Sequence, residues 1–155
     1  MSKLVPGGFD DLDGVMRVMT AAFDKRFGEA WTRAQCAGIL PMTGVQLTLA
    51  EKREKIIGFS LHRSIVGDSE LLLLAVDPDS QGKGIGRKLL RHFVDSSRKG
   101  GATRIHLEVR DGNPAVHLYE TAHFQQAGRR RNYYKGNNGE QFDALTFVMV
   151  TEDGP

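Results

Sequence analysis

The sequence predicts a mixed α/β fold: a central sheet, antiparallel in its front half, with a parallel pair at its centre and helices on its faces. Three observations lead there. VQLTLAEK and KIIGFSLHRSIV alternate apolar and polar residues, are β-rich and meet through the polar EKREK, so they read as an antiparallel hairpin. ELLLLAVDP is an unbroken apolar run of the kind that suits a central strand buried on both faces. A helical stripe then separates it from another clean strand, and strand, helix and strand form a right-handed parallel crossover. The expected total is about six to seven strands and about four helices.

The elements follow in chain order. FDDLDGVMRVMTAAF sets Leu12, Val15, Met16, Met19 and Phe23 at helical spacing behind leading acids. Thr32 to Gln35 fits a capping box, so a second helix starts there, and Pro41 stops it. After the hairpin and the apolar run, Ile85, Leu89, Leu90, Phe93 and Val94 form the single apolar stripe of a third helix, ended by Gly100 and Gly101. ATRIHLEVRDG puts Ile105, Leu107 and Val109 on one strand face and His106, Glu108 and Arg110 on the other. NPAVHLYETAHF is a short helix with Pro114 in its first turn. FQQAG and EQFDALTFVMV close the chain as strands joined by a basic loop, RRRNYYKGNNG.

Bulk properties narrow the function classes. A chain of 155 residues matches one domain, taken as residues 1–155. With 40% hydrophobic and 26% charged residues it has the composition of an ordinary soluble protein. The single cysteine, Cys36, excludes an internal disulfide framework and fits a reducing cytosol. No apolar run nears the roughly 18 residues that span a bilayer, and MSKLVPGG lacks a signal-peptide core. A cytoplasmic protein with no membrane partner is expected. A net charge of +2 argues against nucleic acid as the main partner. The histidines and the lone cysteine lack metal-ligand spacing, so no metal is expected.

The most informative stretch is DPDSQGKGIGRKLL. A turn from a buried strand into a helix exposes free backbone N–H groups, and glycines let a ligand approach them closely. Such a turn is an anion cradle suited to a pyrophosphate. Lys83, Arg87 and Lys88 oppose the positive end of the helix dipole unless phosphate charge offsets them. A P-loop is excluded because no GxxxxGK[ST] string exists. A Rossmann fingerprint is excluded because the third glycine comes one residue early and the unit follows two antiparallel strands. The loop alone is also compatible with a glycine-rich turn carrying solvated lysines.

Gln81-Gly82-Lys83-Gly84-Ile85-Gly86, entered from LLLLAVDP, resembles the Q/R-x-x-G-x-G/A signature of the GNAT superfamily of acetyl-CoA-dependent N-acetyltransferases. LEVRDGNPAVHLYETAHF looks like that family's next strand and helix, and GRRRNYY with DALTFVM resembles its closing segment. The likeness runs from roughly Glu70 to Val150 and is nearest to the RimI-like branch, which acetylates the N-terminal alanine of a small-subunit ribosomal protein.

The resemblance implies a set of roles. Backbone amides of Gln81, Gly82, Lys83, Gly84, Ile85, Gly86 and Arg87 would hold the CoA pyrophosphate. Leu74, Ala75 and Val76 would pair with the pantetheine arm as an added strand, and an amide near Val76 would polarise the thioester carbonyl. Glu108 matches the general base, Tyr119 the general acid and Asn113 a CoA-contacting asparagine. The chemistry requires such types. An attacking amine must lose a proton, which a carboxylate on an open strand face can take directly or through water. The departing thiolate, with a pKa of roughly 8.5, needs only a modest donor such as a phenol. Tyr119 comes one helical turn after Ala115, which suits a side chain looking back at a cleft. His106 is a second candidate base.

Two departures stand out. The step from Asn113 to Tyr119 is one residue shorter than the family's usual spacing, which bears on the Asn113 contact more than on Tyr119. His123 stands where the family tends to have a glycine that ends the helix at positive φ. The acceptor is a primary amine, read first as a protein or peptide N-terminus. A small-molecule amine and a non-catalytic acyl-CoA-binding module are the alternatives, and retention of Glu108 and Tyr119 argues against the module. Arg129, Arg130 and Arg131, with Tyr133 and Tyr134, read as a solvated or phosphate-facing loop or as a lining of the acceptor site. Trp31 reads as packing. The protein is expected to be a monomer or homodimer.

Overall fold

The computed structural model of the protein describes residues 2–150, with side chains through Met149, so the expected 1–155 domain extends past it at both ends. It contains seven strands and four α-helices in the order β1 (Lys3–Pro6), α1 (Leu12–Ala22), α2 (Arg33–Ile39), β2 (Val45–Lys52), β3 (Lys55–Ile65), β4 (Asp68–Val76), α3 (Ile85–Lys99), β5 (Arg104–Arg110), α4 (Ala115–Thr121), β6 (Gln125–Lys135) and β7 (Gln141–Val150). One sheet runs β1-β2-β3-β4-β5-β7-β6. Only β4 and β5 are parallel neighbours. The expected class, antiparallel front and parallel central pair all hold.

Local chemistry accounts for the helices. In α1, Leu12, Val15, Val18 and Met19 are buried and pack on β3 and β4. In α2, the Thr32 hydroxyl accepts from the Gln35 N–H at 3.1 Å, and the Gln35 side chain accepts from the Thr32 N–H at 2.7 Å, the expected capping box. Helix α3 buries Ile85, Leu89, Leu90, Phe93 and Val94 against the opposite sheet face and ends at Gly100. Among the described residues no helix is long and apolar enough to cross a membrane, and no group of three or more His, Cys, Asp or Glu could hold a metal ion.

Three expectations need correction. The short edge strand β1 lies in a segment read only for targeting. The basic stretch after FQQAG is not a loop, because β6 continues through the arginines and tyrosines to Lys135. It is an edge strand with mostly exposed side chains, so its polarity hides its pairing. The apolar run of β4 is not buried uniformly on both faces; its burial alternates. The run is continuous because the register with β3 shifts between Leu61 and His62, which leaves Leu72 as an extra residue. Before this bulge Leu71 packs with Ile105, Leu107 and Phe93; after it, Leu73 and Ala75 pack with α1.

Candidate active site

The bulge in β4 creates the site. Parallel pairing of β4 with β5 runs only from Asp68–Arg104 to Leu71–Leu107. Beyond that the strands part, and a cavity of about 580 Å³ opens between them, a size suited to a small ligand. Leu71 to Val76 and Leu107 to Arg110 form its strand walls.

One end of the cavity meets the glycine turn. Ser80, Gln81, Gly82, Gly84, Ile85, Gly86 and Arg87 line it, and Lys83 lies outside the wall, exposed. Gly82 and Gly84 adopt φ of 77° and 80°, in the left-handed region that glycine favours. Gly84 caps α3 without any side-chain hydrogen bond, which leaves the first N–H groups of the helix to an external acceptor. Gln81 is committed, since its backbone N–H donates to the Pro78 carbonyl at 3.3 Å and its Nε2 to the Val76 carbonyl at 3.1 Å, so the expected cradle of free amides begins at Gly82. Lys88 points away and donates to Ser2, so the expected electrostatic surround contracts to Arg87 on the wall and Lys83 beside it.

Glu108 and Tyr119 approach from opposite faces of the sheet. Tyr119 comes from α4 and is 5% exposed, with Phe124 and Phe147 around its ring. Burial first, then the nearby Glu29 carboxylate, pushes its phenol well above the usual range, so it stays protonated. Its hydroxyl makes no hydrogen bond within the described residues, and its side chain lines the cavity together with Ala115, one turn earlier. Glu108 points to the other face. Its Oε1 accepts from Arg130 Nε at 2.8 Å and its Oε2 from the Thr146 hydroxyl at 2.7 Å. His106 is off the cavity wall and lies 2.8 Å from Asp68, a structural partner.

Asn113 is on the wall, but its side chain is engaged. Its Oδ1 accepts from the Ala115 N–H at 2.8 Å, capping α4, and its Nδ2 donates to Glu29 at 2.6 Å. The helix ends as the substituted glycine position requires, with His123 at φ 72°.

Glu29 itself was not foreseen. It lies between α1 and α2, next to Gly28, and also accepts from Arg110 Nε at 2.9 Å. Both side chains are 9% exposed, and the guanidinium lies 3.7 Å from the centre of the Phe27 ring. The α1–α2 loop that carries Glu29 is clasped to the β6–β7 turn. Phe27 packs edge-on to Phe142, and Asn137 N–H donates to the Lys25 carbonyl. A Cβ on Gly28 would strike the Lys135 carbonyl, and one on Gly136 the Arg26 carbonyl, so both glycines permit the close approach. Tyr134 lines the cavity below this clasp, whereas Tyr133 is exposed. Trp31 packs with the α1–α2 cluster.

Comparisons with known proteins establish the family and the fold. The chain is 38% identical over 96 residues to the [Ribosomal protein bS18]-alanine N-acetyltransferase of Escherichia coli K12, which is 61% of this chain and 64% of that relative, so the match spans less than two thirds of its length. It is 43% identical over 74 residues to the N-alpha-acetyltransferase RimI of Mycobacterium tuberculosis, 47% of this chain and 45% of that one. The crystal structure of the ribosomal-protein-S18-alanine N-acetyltransferase from Escherichia coli superposes with a TM-score of 0.84 at 29% identity, covering 99% of this chain and 98% of the other. The model of the acetyltransferase (GNAT) family matches residues 12–124. With its split strands, glycine turn and family match in agreement, the chain belongs to the GNAT family of acetyltransferases.

Proposed function

We propose that this protein is a cytoplasmic, single-domain, acetyl-CoA-dependent N-acetyltransferase of RimI type that acetylates a protein N-terminus. One observation carries the reading: a single cavity joins an uncapped helix N-terminus at one end to a carboxylate and a buried, protonated phenol in the gap between β4 and β5.

The residues present fit acetyl-CoA. Free N–H groups from Gly82 to Arg87 suit a pyrophosphate, with Arg87 and Lys83 adding positive charge. β4 beyond Leu71 has no strand partner on its β5 side, so the backbone of Leu74, Ala75 and Val76 is available to an extended pantetheine arm. Glu108 takes the proton of the incoming ammonium, directly or through water. The amine nitrogen then bonds to the thioester carbonyl carbon while an amide near Val76 steadies the developing oxyanion. As the C–S bond breaks, Tyr119 gives its proton to the departing thiolate, the nitrogen sheds its second proton to water as the amide forms, and water returns a proton to the phenolate. Asn113 serves by holding the start of α4, and a direct CoA contact is left to the free hydrogen of its amide.

For the acceptor, the clasp between the α1–α2 loop and the β6–β7 turn supports a chain end, which can thread beneath a bridge that a continuous backbone cannot enter sideways. The names of the relatives point the same way. A panel assay reading released thiol tests this, with peptides bearing N-terminal alanine, peptides offering only an ε-amine, and small amines. Turnover is expected on the N-terminal peptides. Turnover on small amines alone would defeat the acceptor reading. Absence of acetyl-CoA binding at millimolar concentration would defeat the whole.

A further inference from the structure

Glu108 does not stand free in the cleft. Across the β5–β7 ladder it is opposite Thr146, and across β7–β6 Thr146 is opposite Gly128. Arg130, two residues beyond Gly128, shares that face. The Gly128 backbone is not in the left-handed region, and a Cβ there would meet only Thr146, at 3.9 Å. Nothing in the fold therefore demands a glycine. From this face Arg130 reaches back to one oxygen of Glu108, whose other oxygen is held by Thr146.

β6 prepares this reach. Its register with β7 breaks between Arg130 and Tyr134, where Asn132 sits at φ 54° with its N–H on the Asp143 carboxylate. The three consecutive arginines thus separate. Arg129 is bound by Asp111 and Asp143, both at 2.8 Å, while Arg130 pairs with Glu108 and lies 5.8 Å from the centre of the Tyr133 ring. The Glu108 side chain is 12% exposed and that of Arg130 63% exposed. Arg130 thus adds little to the packed core.

We propose that Arg130 and Thr146 are positioning residues that seat the Glu108 carboxylate for proton abstraction, one bond to each oxygen, leaving the remaining lone pairs for the acceptor. This rests on the reading of Glu108 as base. A carboxylate fixed at both oxygens keeps one orientation toward the gap, and misplacing a reacting group by about 1 Å can cost about 100-fold in rate.

The test is a cycle in kcat. Arg130→Ala and Thr146→Val should each lower kcat about tenfold, a part of the roughly 100-fold or more that a general base supplies. Acceptor KM, acetyl-CoA affinity and melting temperature should stay near the parent's. Arg130→Lys and Thr146→Ser should recover most of the loss. In a Glu108→Gln background, Arg130→Ala should cost nothing further. An equal loss from Arg130→Ala in both backgrounds would overturn the proposal, as would a parent rate in both single variants. If Glu108→Gln itself turns over at the parent rate, the base assignment has failed instead, which separates the two readings.

Discussion

Replacing Glu29 with alanine should be among the most damaging single changes outside the apolar core. Its carboxylate holds Arg110 through one oxygen and Asn113 through the other, and both members of the ion pair are about nine-tenths buried. Removing one partner of a buried pair leaves the other charge uncompensated and costs about 3–5 kcal/mol. The Phe27 face beneath the guanidinium cannot replace a carboxylate. For a chain of this size each kcal/mol moves the melting temperature by about 2–4 °C, so Glu29→Ala should melt roughly 6–20 °C below the parent. Thermal unfolding followed by circular dichroism, with urea titration for free energies, measures it. Arg110→Ala should be similarly costly, and the double variant should lose well under the sum, with a coupling above about 1 kcal/mol. Single losses below about 1 kcal/mol, or strictly additive ones, would show that the pair does not hold the α1–α2 loop.

Tyr119→Phe should lower kcat about 100-fold while leaving acetyl-CoA affinity nearly unchanged, and equal rates would remove the phenol from the mechanism. His62 makes stability depend on pH. It is 1% exposed against Phe93, its Nδ1 has no partner, and burial, aided by His92, pushes its pKa down to about 4 from 6.5. The folded-state pKa lies below the unfolded one, so this contribution is intact above about pH 6.5 and is lost as pH falls toward 4, by up to about 3 kcal/mol. His62→Leu should flatten that part of the urea-derived stability profile; an unchanged slope would refute the assignment. His123→Gly should raise stability by about 0.5–1 kcal/mol, because the residue already sits at φ 72°, and a lower melting temperature would refute the strain argument.

What could be read from the sequence was what is decided locally. VQLTLAEK alternates within itself and became Val45–Lys52; Thr32 and Gln35 cap each other within one turn. The glycine turn was legible because Gly82 and Gly84 need their conformation whatever surrounds them. The rest depended on partners far along the chain. Glu29 and Arg110 are 81 residues apart, and neither neighbourhood signals the other. The bulge at Leu72 was hidden because resetting an alternation produces the same letters as burial on two faces. The basic second half of β6 reads as a loop because an edge strand facing water is composed like one.

The parting of β4 from β5 has a kinetic consequence. The cavity wall draws on both faces of the sheet, from α3 and α4 on one side and from the α1–α2 loop and Tyr134 on the other. No cysteine or histidine is among the residues that line it. On the proposed reading, donor and acceptor approach from opposite faces of the sheet and do not displace each other. Initial rates should therefore give intersecting double-reciprocal lines, the pattern of a ternary complex, and parallel lines would point to an acetylated enzyme instead. On that reading, the parting of two strands is what lets both substrates be present at once.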